Sequence, residues 1–419
     1  METERINELR SEPRSELRSE LRSEPRSELL SSVGTFSAFR AVSRGAVATE
    51  SVGDAATFEK TLAVLTAGGY RLTAERESGG NRFAALSGGN RKLTVALFAA
   101  DRLLRVTVEQ MPRALTLGTQ GPARYPAVTL TQFATHTSYS TRVRGSASGM
   151  GYILRLRDGR LIVIDGGFHL APDFGDDYPD FRDLLRELSG GERPQVALWV
   201  LTHAHIDHYG LLRSWKPEDA EIGAYLATLP PDGISDAACA DMAESVPFFA
   251  EKTVTAHTGD LFDFGDVQLE VFYTCEDLAW SNPEALARDL NNQSLIFAVR
   301  TGGEQILFTG DARYPALDRA ARTAGERIQS AVCQIPHHGR TVAGDNAAMS
   351  RIAPKVALWP ACRTQIDYDS SHIEGVNAWI FGADSTVTDH FVANDGTVTL
   401  TLPYRAVGRP YRKEENECE

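Results

Sequence analysis

Cysteine, basic charge and long apolar runs are all scarce in this chain, and each scarcity removes a class of protein. The five cysteines (Cys239, Cys275, Cys333, Cys362 and Cys418) are scattered and form no Cys-x-x-Cys pair. An odd, unpatterned set points to reduced thiols rather than a disulfide framework. No apolar run reaches the roughly 20 residues needed to cross a bilayer. The N-terminus also lacks the apolar core of a secretory signal, so a cytoplasmic location is expected. Lys and Arg number 43 against 56 Asp and Glu, giving a net charge of -13. Such a field argues against non-specific nucleic-acid binding. The expected partner is a small-molecule or phosphoester substrate, with neither nucleic acid nor membrane.

With 419 residues, 42% of them hydrophobic, the chain is long enough for two or three domains. Residues 9–29 repeat a four-residue Leu/Pro-Arg-Ser-Glu unit. Arg and Glu balance through Arg44, so the acidic excess lies further on. Pro13 and Pro25 break any helix the repeat would build, and residues 1–48 read as a disordered low-complexity tail. Residues 50–110 read as a small α+β module. Asp54 caps a helix through Phe58, Leu62 and Leu65, and four strands follow, the first three separated by Gly79-Gly80 and Gly88-Gly89. The module has no His or Cys and should supply no metal ligand. Residues 111–126 read as a linker, 127–405 as the catalytic domain and 406–419 as a C-terminal tail. Strands interleaved with helices, each strand ending in a polar cluster, suggest a layered α/β arrangement with a site along one sheet edge.

The densest chemistry is Leu198-Trp-Val-Leu-Thr-His-Ala-His-Ile-Asp-His-Tyr-Gly210. Its apolar start reads as a buried strand. In an extended continuation alternate side chains share a face. His203, His205 and Asp207 would then enter one pocket, with His208 approaching from a second side. Imidazoles and a carboxylate converging this way suit a divalent metal such as zinc. Other strands also end in polar groups: Asp165, the Thr-Gly-Asp that closes on Asp311, and Pro336-His-His-Gly339.

The motif resembles the His-x-His-x-Asp-His motif of the metallo-β-lactamase-fold hydrolases. That resemblance implies an αββα sandwich and a dinuclear centre, two zinc ions per chain with manganese or iron as alternatives. It assigns His203 and His205 to the first metal, Asp207, His208 and His338 to the second, and Asp311 to both. Asp165 would steady the ligands from beneath. His337 would stand beside the metals or give a proton to a leaving group, although the roles of His337 and His338 could be reversed. The usual Gly-His-Thr-x-Gly-His context is missing. Asn291-Asn-Gln-Ser294 precedes a strand instead. This resembles the branch with the soluble domain of the DNA-uptake protein ComEC and a phosphorylcholine esterase. In that branch Asn292 or Ser294 would occupy the missing ligand's neighbourhood, with His257 as the alternative. His372 would close the pocket or lie on the surface. The implied activity is metal-dependent hydrolysis by an activated bridging water, with Asp207 and His337 catalytic and a phosphodiester or phosphate ester favoured. Lactone, thioester or amide hydrolysis is the alternative, as is a non-catalytic or redox protein on the same fold. His205 stands where flavodiiron relatives carry Glu, which favours hydrolysis over oxygen chemistry.

Overall fold

A computed structural model of the chain describes residues 30–111, 120–135, 149–167, 177–340, 347–371 and 375–412. They fall into two units, Met1–Pro112 and Arg113–Glu419.

In the first unit, strands β1 (Arg40–Ser43), β2 (Ala46–Val52), β3 (Arg71–Ser78), β4 (Asn81–Gly88), β5 (Arg91–Phe98) and β6 (Leu103–Gln110) form one antiparallel sheet. Its order is β1-β2-β6-β5-β4-β3. Alternate residues Leu93, Val95 and Leu97, and likewise Leu104, Val106 and Val108, face the helix Ala55–Ala67. That helix returns Phe58, Leu62 and Leu65, spaced at one helical face. Asp54 caps it, accepting from Thr57 N at 2.8 Å.

The tail boundary at residue 48 needs correction. β1, the start of β2 and the buried Leu30 lie inside that span and belong to the sheet and its core. The hairpin turns at Gly45 (φ 82°). Its strands are short, and their valines are interrupted by Ala, Ser and Glu, which carry little strand signal.

The second unit is layered. One sheet contains β7 (Thr129–Gln132), β8 (Gly151–Arg155), β9 (Leu161–Asp165), β10 (Gln195–Val200), β11 (Glu221–Ile222), β12 (Tyr225–Ala227), β13 (Thr253–Thr255) and the chain's last strand, β21 (Val398–Thr401). The order is β13-β12-β10-β9-β8-β7-β21, with β11 also on β10. The other sheet runs in chain order through β14 (Leu261–Asp263), β15 (Gln268–Tyr273), β16 (Ile296–Thr301), β17 (Glu304–Phe308), β18 (Val332–Gln334), β19 (Val356–Trp359) and β20 (Asp389–Val392). Strand alternation separates the faces. Ile162, Ile164, Leu198 and Val200 meet Val271, Phe297, Ile306 and Phe308 in a core between the sheets. On the opposite faces, Leu161, Val163 and Trp199 pack with the helix Asp177–Ser189, while Ala298, Leu307 and Cys333 pack with the helix Tyr314–Ala324. This is a helix–sheet–sheet–helix sandwich.

Both flanks of this unit are better held than their composition suggests. In the expected linker, Arg124 N and Tyr125 N donate to Arg157 O at 2.7 and 2.9 Å, and Gly121 N donates to Asp158. In the expected C-terminal tail, Val407 N, Gly408 N and Arg409 N all donate to the Asp389 carboxylate. Those residues strap down the edge strand β20. Backbone amides captured by a distant carboxylate leave no pattern of their own in sequence, which is why both stretches read as loose.

Candidate metal centre

The second sandwich sheet and the first contribute to one site, built where their strands end. β9 and β10 are parallel, so Asp165 and Thr202 leave the sheet side by side. Asp165 adopts φ 54° and accepts from Thr202 N and Thr202 Oγ1, both at 2.8 Å. It also accepts from His208 Nδ1 at 2.7 Å, which turns His208 Nε2 the other way. Trp199 Nε1 donates to the Asp165 carbonyl at 3.0 Å. A carboxylate on the far nitrogen of a histidine fixes both tautomer and ring plane.

The chain is extended only as far as His205 (φ -92°, ψ 141°), and Ile206–Tyr209 is a helical turn. The shared face therefore holds His203 and His205, whose Nε2 and Nδ1 lie 2.9 Å apart. Asp207 does not join them as the alternation suggested. The turn sends it with His208 to the neighbouring cluster.

Asp311 and His338 arrive from the other sheet. Gly310 (φ 53°) makes the turn out of β17, where a Cβ would sit 3.0 Å from both Ser294 and Thr202. Only glycine fits that seam easily. Ser294 Oγ accepts from Asp311 N at 3.0 Å. Gln334, wholly buried, accepts from Thr309 N at 2.8 Å and donates to Gly310 O at 3.1 Å. His337 and His338 both take left-handed backbone, φ 50° and 56°. For residues with a Cβ this costs about 1–3 kcal/mol each and persists only where the surroundings impose it. Here His337 N donates to Gly310 O at 3.1 Å and Arg340 N to His337 O at 2.8 Å. His338 Nδ1 donates to Pro360 O at 2.8 Å, leaving Nε2 as the free nitrogen.

The result is two groups of convergent ligand atoms: Asp207, His208, Asp311 and His338, and beside them His203, His205 and Asp311. Within each group the atoms lie within 4.8 Å of one another, and Asp311 is common to both. His208 Nε2 is 3.2 Å from Asp311 Oδ1. His338 Nε2 is 3.3 Å from Asp207 Oδ2 and 3.4 Å from Asp311 Oδ2.

The site's electrostatics call for positive charge. Burial disfavours charged forms throughout, yet Asp311, Asp165 and Asp207 hold His208 well above its ordinary pKa. Burial likewise opposes protonation of His338, but Asp311 and Asp207 raise it to about 9. Burial also opposes ionisation of Asp311, and it is outweighed by His338 and His208, so that carboxyl stays well below the usual range. His203 is lowered by burial and then by His208.

His208 Nε2, His338 Nε2 and Asp311 Oδ1 are buried with no hydrogen-bond partner. Orphaned polar atoms of this kind are costly unless something binds them. Nitrogen and carboxylate donors in this arrangement fit divalent cations.

The other candidates divide. His337 stands outside both groups; burial lowers it to about 4, and its Nε2 is 3.4 Å from Asn291 Nδ2. Asn292 gives an amide hydrogen to Ala285 O at 2.9 Å and keeps a buried, unpartnered Oδ1. Ser294 acts through the Asp311 backbone. His257 is engaged by Glu276 at 2.9 Å and joins neither group. His372 lies outside the described residues. Sequence reading passed over Thr202, Asn291, Gln334 and Pro360. Thr202 and Asn291 adjoin recognised motifs, whereas Gln334 and Pro360 act through single hydrogen bonds that no spacing betrays.

The model of the metallo-beta-lactamase superfamily matches residues 147–274. Over that span, less than half of its length, the chain is similar to the metallo-beta-lactamase superfamily. The matched span includes Asp165 and the His203–His208 cluster and ends before Asp311 and His338, which the fold alone brings in. The uncharacterized protein YcaI of Escherichia coli (strain K12) is 34% identical over 73 residues, 17% of this chain and 10% of that protein. Zn(2+)-bound PqqB from Methylobacterium extorquens has a similar structure at 13% identity and TM-score 0.38, covering 65% of this chain and 100% of that one. CmlA, a diiron beta-hydroxylase from Streptomyces venezuelae, is similar at 13% identity and TM-score 0.39, covering 68% and 55%. The chain thus spans a tenth of YcaI and about half of CmlA.

Proposed function

We propose that this superfamily enzyme is a metal-dependent hydrolase of phosphodiesters or phosphate esters, using two divalent cations, zinc in the first instance. One observation carries the metal reading: His208 Nε2, His338 Nε2 and Asp311 Oδ1 are buried, unpartnered and convergent. His203, His205 and Asp311 would hold one cation, and Asp207, His208, Asp311 and His338 the other. When bound, such cations lower the proton affinity of water and stabilise charge growing on a phosphoryl or carbonyl oxygen.

The chain's own residues do the rest by positioning. Asp165 and Thr202 set His208, Pro360 O sets His338, and Ser294 holds the amide of Asp311. A phosphoester is favoured by the order of the Asn-Asn-Gln-Ser, Thr-Gly-Asp and His-His-Gly segments. The low pKa of His337 argues against a standing acid, so its part in catalysis is better sought in hydrogen bonding.

The test is a screen of purified protein against phosphodiesters, phosphomonoesters, lactones and thioesters, with metal analysis on the same sample. Hydrolysis of a phosphodiester, lost on chelation and restored by zinc or manganese, is expected. Turnover of a lactone or thioester alone would replace the substrate class and keep the metals.

A further inference from the structure

Next to the ligand cluster lies a second polar pair, outside both ligand groups. The rings of His337 and His338 are 6.3 Å apart between centroids. His337 is 9% exposed and Asn291 6%. Asn291 Nδ2 faces His337 Nε2 at 3.4 Å, yet His337 Nδ1 and Asn291 Oδ1 are buried without partners. With the amide donating to Nε2, the imidazole proton resides on Nδ1, where nothing among the described residues accepts it.

The pair is rigidly presented from both sides. Asp289 accepts from Asn291 N at 3.0 Å and pairs with Arg313 at 2.9 Å. This ties the asparagine turn to the segment that carries Asp311. His337 is held in left-handed backbone against the carbonyl of Gly310. An unpaired buried donor is unfavourable in the free protein and is relieved when a ligand accepts from it. Strain imposed on a buried polar residue beside a reaction centre points the same way.

We propose that His337 Nδ1–H binds an oxygen of the oxyanion ligand held at the metal cluster, and that Asn291 positions that proton by occupying Nε2. The oxyanion class rests on the phosphoester reading above. His337 is the group that touches the ligand, and Asn291 is a positioning residue.

The experiment titrates inorganic phosphate into the zinc-loaded full chain by calorimetry, with zinc content measured on every sample. His337→Asn keeps an amide N–H near the Nδ1 position and tolerates left-handed backbone. His337→Gly tolerates that backbone and has no donor. His337→Gly should bind phosphate about tenfold or more weakly at unchanged zinc content, and His337→Asn should recover most of that loss. Asn291→Ala, away from the strained turn, should weaken phosphate binding as well. Combined with His337→Gly it should add nothing further, because the two act as one unit.

Zinc lost in His337→Gly would make His337 a ligand and overturn the proposal. So would unchanged phosphate binding in that variant, or His337→Asn binding no better than His337→Gly. A fully loaded wild type that neither binds phosphate nor hydrolyses bis(4-nitrophenyl) phosphate would overturn the phosphoester reading and this proposal together. A wild type that does either, with variants unchanged, would overturn this proposal alone.

Discussion

Asp165 lies beneath the candidate metal centre and fixes the orientation of His208. Its carboxylate receives His208 Nδ1 and both polar groups of Thr202. Asp165→Asn keeps the shape and presents the wrong hydrogen-bonding partner to His208. Metal affinity should fall about 10–100-fold, measured by competition with a chelator, while thermal stability of the metal-free protein changes little by comparison. An unchanged affinity would mean that His208 is oriented by something else. The two ligand groups also differ, four side chains against three. A graded chelator titration should therefore release one metal before the other. Asp207→Ala should abolish the tighter class, and His205→Ala the weaker. Much of this was legible in sequence, because His203, His205, Asp207 and His208 are adjacent and chemically dense. Their division was not, since it depends on the chain turning helical at Ile206. Nor was the different placement of His337 and His338: it is His338 whose Nε2 joins the cluster, its Nδ1 being taken by Pro360 O.

At the scale of elements, the C-terminal strap is sensitive to acid. Burial would raise the pKa of Asp389, but the amides of Val407, Arg409 and Gly408 and the Tyr404 hydroxyl hold it at about 2. A carboxyl depressed on folding contributes stability that is fully present above its unfolded pKa near 3.8 and is lost as pH falls through about 2. Asp389→Asn should therefore lower the melting temperature at neutral pH, and the gap from wild type should close between about pH 4 and 2. A gap independent of pH would assign the effect to packing. The apolar strands β8, β9, β10 and β17 were plain from their runs of Val, Ile and Leu. β20, which this strap covers, was missed: Asp389-His-Phe-Val392 shows too little apolar alternation to stand out. The Asn291-Asn-Gln-Ser294 segment, read only as preceding a strand, forms a tight helical turn at Leu290–Gln293 ahead of β16. That turn is what places Asn291 beside His337.

For the whole molecule, every residue assigned to the metals lies in the Arg113–Glu419 unit. Residues 113–419 expressed alone should bind metal as the full chain does, measured as metal content after gel filtration. Deleting residues 1–48, by contrast, removes β1 and the first three residues of β2, and uncovers the end of β6 that they pair with. It should destabilise the first unit, seen as a lost or lowered transition in thermal unfolding, where the low-complexity reading of that stretch led one to expect none. Among the described residues no helix is long and apolar enough to cross a membrane. The central claim is that two cations share Asp311 between neighbouring ligand groups. Its most direct measurement is metal content by elemental analysis after loading with zinc and removal of excess, for wild type, His338→Ala, His203→Ala and Asp311→Ala. About two ions are expected per wild-type chain, about one in each histidine variant and close to none in Asp311→Ala. Full loading of Asp311→Ala, or a wild type that takes up no zinc, would contradict it.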